Sequence, residues 1–452
     1  MKFYKFETNQ KRNLFWNQTE AISKPYTENL QYKAINVYPE LQGQKFFGFG
    51  GAFTEASGIC YKELPHVQKQ EFLNDYFSEN GLNYTWGRLP IGSTDFSKKS
   101  YSYSEKENLS DFSIKKDERF ITPLIKDALN INPNITFVAS PWSPPKFMKT
   151  NKKLILGGKL KEEYRKLYSE YFVKYLLSYK NLGIDIPYIT VQNEANAVQV
   201  WESCVFSSNE EATFVKEFLY PALKENNLDT EILIWDHNKE KLYSRAKDEL
   251  NLVFDEVAGV AYHYYSGDHF ENIKNVHETY PEKLLIHTEG CCGFSKIDRQ
   301  SEKAINNELQ NAEIYAHDII GDLNAGSNAY IDWNLLLNHK GGPNHKFNFC
   351  SSPIMLEKGE KNYIKTYTYY YIGHFSKFIK PNSIRLKTSK YTDDIDVTSF
   401  KNPDDSISVV LFNKTNQNKE YNLNIGNKEY IHDNLDSHAI VSYIIKEENN
   451  GN

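Results

Sequence analysis

The chain has 452 residues, and its 53 Lys and Arg stand against 59 Asp and Glu for a formal charge of −6. That length holds one large α/β domain with a smaller companion, or two to three ordinary domains. The charges nearly cancel and form no block of one sign, so nothing favours nucleic acid or an anionic membrane surface, and no apolar run is long enough for a membrane span.

The start, Met1-Lys2-Phe3-Tyr4-Lys5-Phe6-Glu7, has no apolar h-region, and the expected location is cytoplasmic. Cys60, Cys204, Cys291, Cys292 and Cys350 are an odd set without CxxC spacing. That argues for reduced thiols and against a disulfide framework or a structural zinc site. No His pair has the HExxH spacing, so neither a metal nor another cofactor is expected.

Residues 1 to about 40 lack a helical pattern and contain strand-like runs such as Tyr32-Lys33-Ala34-Ile35-Asn36-Val37-Tyr38. From about 46 the character changes. Eight short apolar runs follow, each bounded by turn residues: 46–53, 84–90, 135–140, 188–193, 231–236, 257–264, 284–288 and 329–334. Helical patterns separate most of them. Glu162 to Tyr179 and Ser301 to Leu323 carry apolar residues at i, i+3 and i+4, and Tyr363 to Phe378 reads as a helix ending before Pro381. Strands alternating with helices imply a parallel sheet, and eight such units predict a (β/α)8 TIM barrel.

Beyond 381 the chain turns strand-like again, in 395–400, 407–412, 421–425 and 439–445. This tail is too short to close its own sheets, so the N-terminal strands are expected to complete them. The predicted architecture is a catalytic barrel over 41–380 and a side β-sandwich domain built from 1–40 and 381–452. The last residues, Glu447 to Asn452, are expected to be disordered.

Polar residues cluster where the eight runs end. Thr54 and Glu55 follow the first, and Arg88 ends the second with Asp95 in its loop. Trp142 follows the third, Asn193 and Glu194 the fourth, and Asp236-His237-Asn238 the fifth. His263 and Tyr265 belong to the sixth, Glu289 to the seventh, and Asp332, Trp333 and Asn334 to the eighth. On one face of a barrel these endings make a lined cup. Asp236, His237 and Asn238 are read as loop capping and left outside the site.

Glu194 and Glu289 end strands four and seven, across the mouth from each other. Two such carboxylates suit hydrolysis of a glycosidic bond. Glu194 follows an amide that can hold a sugar hydroxyl, and it fits the acid, its pKa raised by burial and by the other carboxylate. Glu289, near Arg88 and Tyr265, fits an ionised nucleophile.

Several motifs resemble glycoside hydrolase family 30, the family of the glucosylceramidases. They are Gly48-Phe49-Gly50-Gly51-Ala52-Phe53-Thr54-Glu55, Gly87-Arg88-Leu89-Pro90-Ile91-Gly92-Ser93-Thr94-Asp95 and Ser140-Pro141-Trp142-Ser143-Pro144-Pro145, with Val191-Gln192-Asn193-Glu194, Asp332-Trp333-Asn334, Gly341-Gly342-Pro343-Asn344 and Gly373-His374-Phe375. The resemblance implies a retaining mechanism with Glu194 as acid/base and Glu289 as nucleophile. It implies that Asp95, Trp142, Asn193, Trp333 and Asn348 hold the glycone, and that Arg88, His263 and Tyr265 orient the nucleophile. Ala195-Asn196-Ala197 and Cys291-Cys292 depart from the lysosomal members, so the chemistry is implied more firmly than a lipid aglycone.

The sequence thus points to an exo-β-glycosidase acting on β-glucosides, with a carbohydrate or glycoside as its partner. The same chemistry on another glycone or chain, as a β-xylosidase, β-fucosidase or β-1,6-glucanase, is the alternative. A non-catalytic sugar-binding protein is disfavoured, because binding alone has no use for two apposed carboxylates.

Overall fold

Eight parallel strands close into a barrel. In chain order they are β1 (Gly48–Ala52), β2 (Trp86–Ile91), β3 (Thr136–Pro141), β4 (Tyr188–Thr190), β5 (Glu231–Asn238), β6 (Gly259–His263), β7 (Leu284–Glu289) and β8 (Ala329–Asn334). Each pairs with the next, and β8 returns to β1. The structure is a computed structural model that describes residues 1–27, 32–293, 302–359 and 361–447, with 302–307 given by backbone alone.

Helices cover the outside, so the strands are buried on both faces and read as continuous apolar runs. Inside, Trp86, Val138, Leu233, Ala261, Ile286, Ala329 and Ile331 fill the lower layers as a packed core. Gly50 is required where β1 meets β2, because a Cβ there would lie 2.1 Å from the Trp86 carbonyl oxygen. The floor is therefore solid, and the cup above it is where chemistry can be built.

Each of the eight predicted runs contains a barrel strand, and two predicted elements differ locally. The fourth strand stops at Thr190. Beyond it the Asn193 and Glu194 amides donate to Pro141 O and Asp236 O, each at 2.8 Å, and Glu194 adopts a left-handed φ of 50°. The predicted helix 363–378 begins instead as a strand, Tyr363–Lys365, and the helix itself is Tyr367–Ser376. The open edge of Ile354–Leu356, which also pairs with Leu336–Leu337, captures that first stretch and overrides its helical period. The predicted helix 301–323 spans Glu302–Ala325. Ser301 and residues 448–452 lie outside the described residues.

The side domain is one curled ten-stranded sheet. Lys2–Asn9, Leu14–Ala21, Lys24–Pro25 and Ala34–Phe46 come from the N-terminal end. Ser383–Lys390, Ile395–Lys401, Ile407–Asn413, Lys419–Ile425, Glu429–Leu435 and Ile440–Lys446 come from the other. Ala34–Phe46 folds the sheet over. Its pairing with Ser383–Lys390 jumps from Gln42 to Tyr38 within one step, and its first part pairs with Lys419–Ile425. The fold-over encloses Ile35, Val37, Leu386, Val409, Leu411, Leu423 and Val441.

The helix Tyr367–Ser376 keys the two parts together. Gly373 leaves room for the Trp16 ring, whose Nε1 donates to Tyr370 O at 2.8 Å. Buried His374 meets Ser442 Oγ and Thr8 Oγ1, each at 2.8 Å. Among the described residues no helix is long and apolar enough to cross a membrane.

Candidate active site

Three barrel strands carry one extra residue near their carboxyl ends. The register skips Asp236 on β5, Thr288 on β7 and Trp333 on β8. Such bulges re-aim a side chain at the rim of a barrel. On β5 the cost is visible, since Trp235 and Asp236 have φ of 74° and 47°. Consecutive left-handed residues without glycine cost roughly 1–2 kcal/mol each. The Trp235 amide is caught by Glu211 Oε1 at 3.0 Å, and Arg245 binds Glu211 at 2.6 Å behind it. Asp236 and Thr288 meet over the barrel floor, with Thr288 Oγ1 donating to Asp236 Oδ1 at 2.6 Å.

Asp236 is the hub of the cup. Its Oδ2 accepts from Arg88 Nη2 and from Thr190 Oγ1, both at 2.7 Å, and its Oδ1 lies 3.0 Å from His263 Nε2. Arg88 also donates to Glu289 Oε2, to Asn193 Oδ1 at 2.8 Å and to Ser140 Oγ at 3.2 Å. Arg88, Asp236 and His263 are fully buried. The structure thus corrects the reading of Asp236 as a loop cap. No signal in the run Trp235-Asp236-His237 announces a bulge, so its inward aim was not legible.

Glu289 receives two donors, Arg88 and the Tyr265 hydroxyl at 2.8 Å. Glu194 Oε1 faces His263 Nδ1 at 3.5 Å and His237 Nδ1 at 3.9 Å. His263 therefore sits against Asp236 and Glu194, and it acts on Glu289 only through its charge. Burial opposes the imidazolium, but Glu289, Asp236 and Glu194 outweigh it and raise His263 to about 9. Asp236 stays far below the usual carboxylate range. Burial works against its charge, and Arg88, His263 and Thr190 overcome that.

These cations reverse the expected order of the two glutamates. Burial raises Glu194, yet His263, His237 and Arg88 bring it below the ordinary range. At Glu289 burial outweighs His263, Arg88 and Tyr265, and Glu194 adds to it, so Glu289 lies above that range. The charge count explains why the pair matters. Arg88 and His263 face Asp236, Glu194 and Glu289, two cations against three carboxylates. One proton neutralises the group, and the two glutamates compete for it.

The remaining predicted residues form the wall. Trp142 and Trp333 stack with centroids 5.4 Å apart, and the Arg88 guanidinium lies over both rings at 4.8 and 5.6 Å. Arg88 occupies the Asn193 carbonyl oxygen, which leaves the two-proton Nδ2 for a ligand hydroxyl. Asp95 Oδ2 accepts from Asn348 at 2.9 Å and Asn344 at 3.2 Å. Burial raises Asp95 to about 7, against these two donors and with help from Glu289 and Glu202. Asn348 is itself exposed, so it holds Asp95 from the rim.

Among the described residues two buried clusters have metal-ligating residue types, Glu194–His237–His263 and His287–Asp318–Asp322. In the second, the Lys239 ammonium already stands between the carboxylates, at 2.5 Å from Asp318 and 3.0 Å from Asp322. In the first, His263 is also held by Asp236 at 3.0 Å and its imidazole is raised to about 9 by the surrounding carboxylates, so a metal there would have to displace its proton.

Comparison with known proteins adds a lineage to this geometry. The family model for the glycosyl hydrolase family 30 TIM-barrel domain matches residues 46–379, and that for the family 30 beta sandwich domain matches 382–443. Putative glucosylceramidase 4 of Caenorhabditis elegans is 32% identical over 392 residues, covering 82% of this chain and 75% of its own. The crystal structure of SrfJ from Salmonella typhimurium is 34% identical with a TM-score of 0.94, covering 99% of this chain and all of its own. The endo-β1,6-glucanase BT3312 is 27% identical with a TM-score of 0.84, over 98% and 99% of the two chains.

Proposed function

The chain belongs to glycosyl hydrolase family 30 and is a glycoside hydrolase; from that premise we propose that it is a retaining exo-β-glycosidase that cleaves β-glucosides by double displacement. The observation that carries the proposal is the pairing of Glu289, held by Arg88 and Tyr265, with Glu194 in the same charged group. Glu289 attacks the anomeric carbon while Glu194 protonates the departing oxygen. Glu194 then takes a proton from water, the hydroxide displaces Glu289, and the β configuration is restored.

The productive form carries the proton on Glu194. A glycosidic oxygen accepts a hydrogen bond only from a protonated carboxyl, and Arg88 and Tyr265 favour charge on Glu289. Substrate binding therefore selects that form from the shared-proton pair. Trp142 and Trp333 present apolar faces to the sugar ring. Asn193 Nδ2 binds the 2-hydroxyl, and Asp95 grips hydroxyls on the non-reducing side. A carboxylate clamped there by Asn344 and Asn348 closes the glycone end, which favours exo action. The name of the Caenorhabditis elegans relative supports a β-glucoside.

A second reading rests on the likeness to the endo-β1,6-glucanase, which aligns along nearly the whole chain. Turnover of aryl β-glucoside, xyloside, fucoside and galactoside by wild type and Glu289→Ala separates the two. Cleavage of the glucoside by wild type alone supports the proposal. Inert aryl glycosides together with hydrolysis of a β-1,6-glucan polymer would replace it with the endo reading.

A further inference from the structure

The loops that follow β7 and β8 bring two cysteines together at the wall of the cup. Cys291 Sγ and Cys350 Sγ lie 2.7 Å apart. We propose that these thiols are a modification site, which a small-molecule disulfide converts into a Cys291–Cys350 disulfide.

The approach is built into the backbone rather than left to two free side chains. Gly293 and Cys350 form an isolated antiparallel bridge, and the Ser351 amide donates to Cys292 O at 3.0 Å. The other three cysteines are placed differently. Each is buried and directs its sulfur at a backbone carbonyl: Cys60 at Gly342, Cys204 at Gly158 and Cys292 at Asn311. Cys291 is half-buried while Cys350 is buried, so an incoming disulfide meets Cys291 first.

The reaction takes two exchanges. The Cys291 thiolate attacks one sulfur of RS–SR, forming Cys291–S–SR and releasing RS⁻, which takes the proton that Cys291 gave up. The Cys350 thiolate then attacks the Cys291 sulfur and expels the second RS⁻, again leaving as RSH. Two protein thiols are oxidised, and one small disulfide is reduced to two thiols. Hydrogen bonding to Cys350 and burial push the Cys291 thiol up, so exchange speeds up in alkaline buffer.

The linkage joins two working parts of the site. Cys291 lies two residues past Glu289, and its sulfur is 3.6 Å from the Tyr265 hydroxyl that donates to Glu289. Cys350 lies two residues past Asn348, which holds Asp95. A bond between them ties the Glu289 loop to the Asp95 clamp. The chemistry of the linkage does not depend on which glycoside is cleaved.

The test uses the full chain, reduced, desalted and incubated with glutathione disulfide at mildly alkaline pH. The expected result is a Cys291–Cys350 cross-linked peptide by mass spectrometry, with two fewer alkylated cysteines, a Tm higher by several degrees, and full reversal by dithiothreitol. Wild-type protein that stays folded yet keeps both thiols alkylatable, or holds glutathione on Cys291 with Cys350 still free, would overturn the proposal. That peptide map decides by itself. Cys350→Ser adds a control in which Cys291 stops at the glutathione adduct and Tm does not rise.

Discussion

Asp236 accepts a hydrogen bond from Arg88 Nη2 at 2.7 Å, and neither side chain has any solvent exposure. Its other oxygen meets His263 Nε2 at 3.0 Å. One carboxylate therefore fixes both the guanidinium that binds Glu289 and the imidazole that faces Glu194. Removing one partner of a buried ion pair costs about 3–5 kcal/mol, because the other charge is left uncompensated. Asp236→Ala should lose that much stability in urea unfolding. Asp236→Asn keeps the shape but not the charge. If only ~1.4 kcal/mol of its cost falls on the transition state, kcat drops about tenfold. An Asp236→Asn protein with wild-type kcat would show that Arg88 and His263 hold their places without it.

The position of Asp236 marks the boundary of what the chain discloses locally. The eight barrel strands were legible because each is a short apolar run between helical patterns, and buried parallel strands have to look that way. Glu194 and Glu289 were legible because they end such runs. A bulge inserts one residue without changing that pattern, so Asp236 looked like a cap, although it faces inward. The strands 383–390 and 429–435 were not named for a related reason. Each lies between two other strands, and its solvent face carries polar residues such as Lys387 and His432, so few apolar positions mark it in the chain. The protonation order of the glutamates was illegible because it depends on His263, 69 positions from Glu194 in the chain and 3.5 Å from it in space.

The proposed roles of the two glutamates should separate by leaving group. Glu194→Ala should slow hydrolysis of an alkyl β-glucoside by about 10²–10⁴-fold, the usual worth of a general acid. An aryl glycoside with a good leaving group needs little protonation, so its first step should stay much nearer the wild-type rate, and added azide should speed turnover by replacing water as nucleophile. Glu289→Ala should be inactive on both. Equal loss on both substrates in Glu194→Ala would remove it as the acid.

His263 should set where the activity lies on the pH axis. Its imidazolium draws Glu194 and Glu289 alike toward the charged form. Loss of that cation raises both carboxyls. With the proposed roles, the acidic limb of kcat/KM needs Glu289 ionised, and the basic limb needs Glu194 protonated. His263→Asn should therefore move the whole bell to higher pH while lowering its peak. Limbs that stay in place, or move down, would contradict the charge assignment.

His374 should make the junction between barrel and side sheet acid-sensitive. Burial pushes its imidazole down from 6.5 to about 3. Between those values the unfolded chain binds a proton that the folded chain does not, so stability is present at neutral pH and falls as pH drops below 6.5. The slope from this one group is at most ~1.4 kcal/mol per pH unit. His374→Gln can still bond the Ser442 and Thr8 hydroxyls but cannot titrate. It should lose some stability at pH 7.5 and lose less than wild type on going to pH 5. Urea unfolding of both proteins across that range measures the difference, and parallel pH profiles would show that His374 is protonated without breaking the junction.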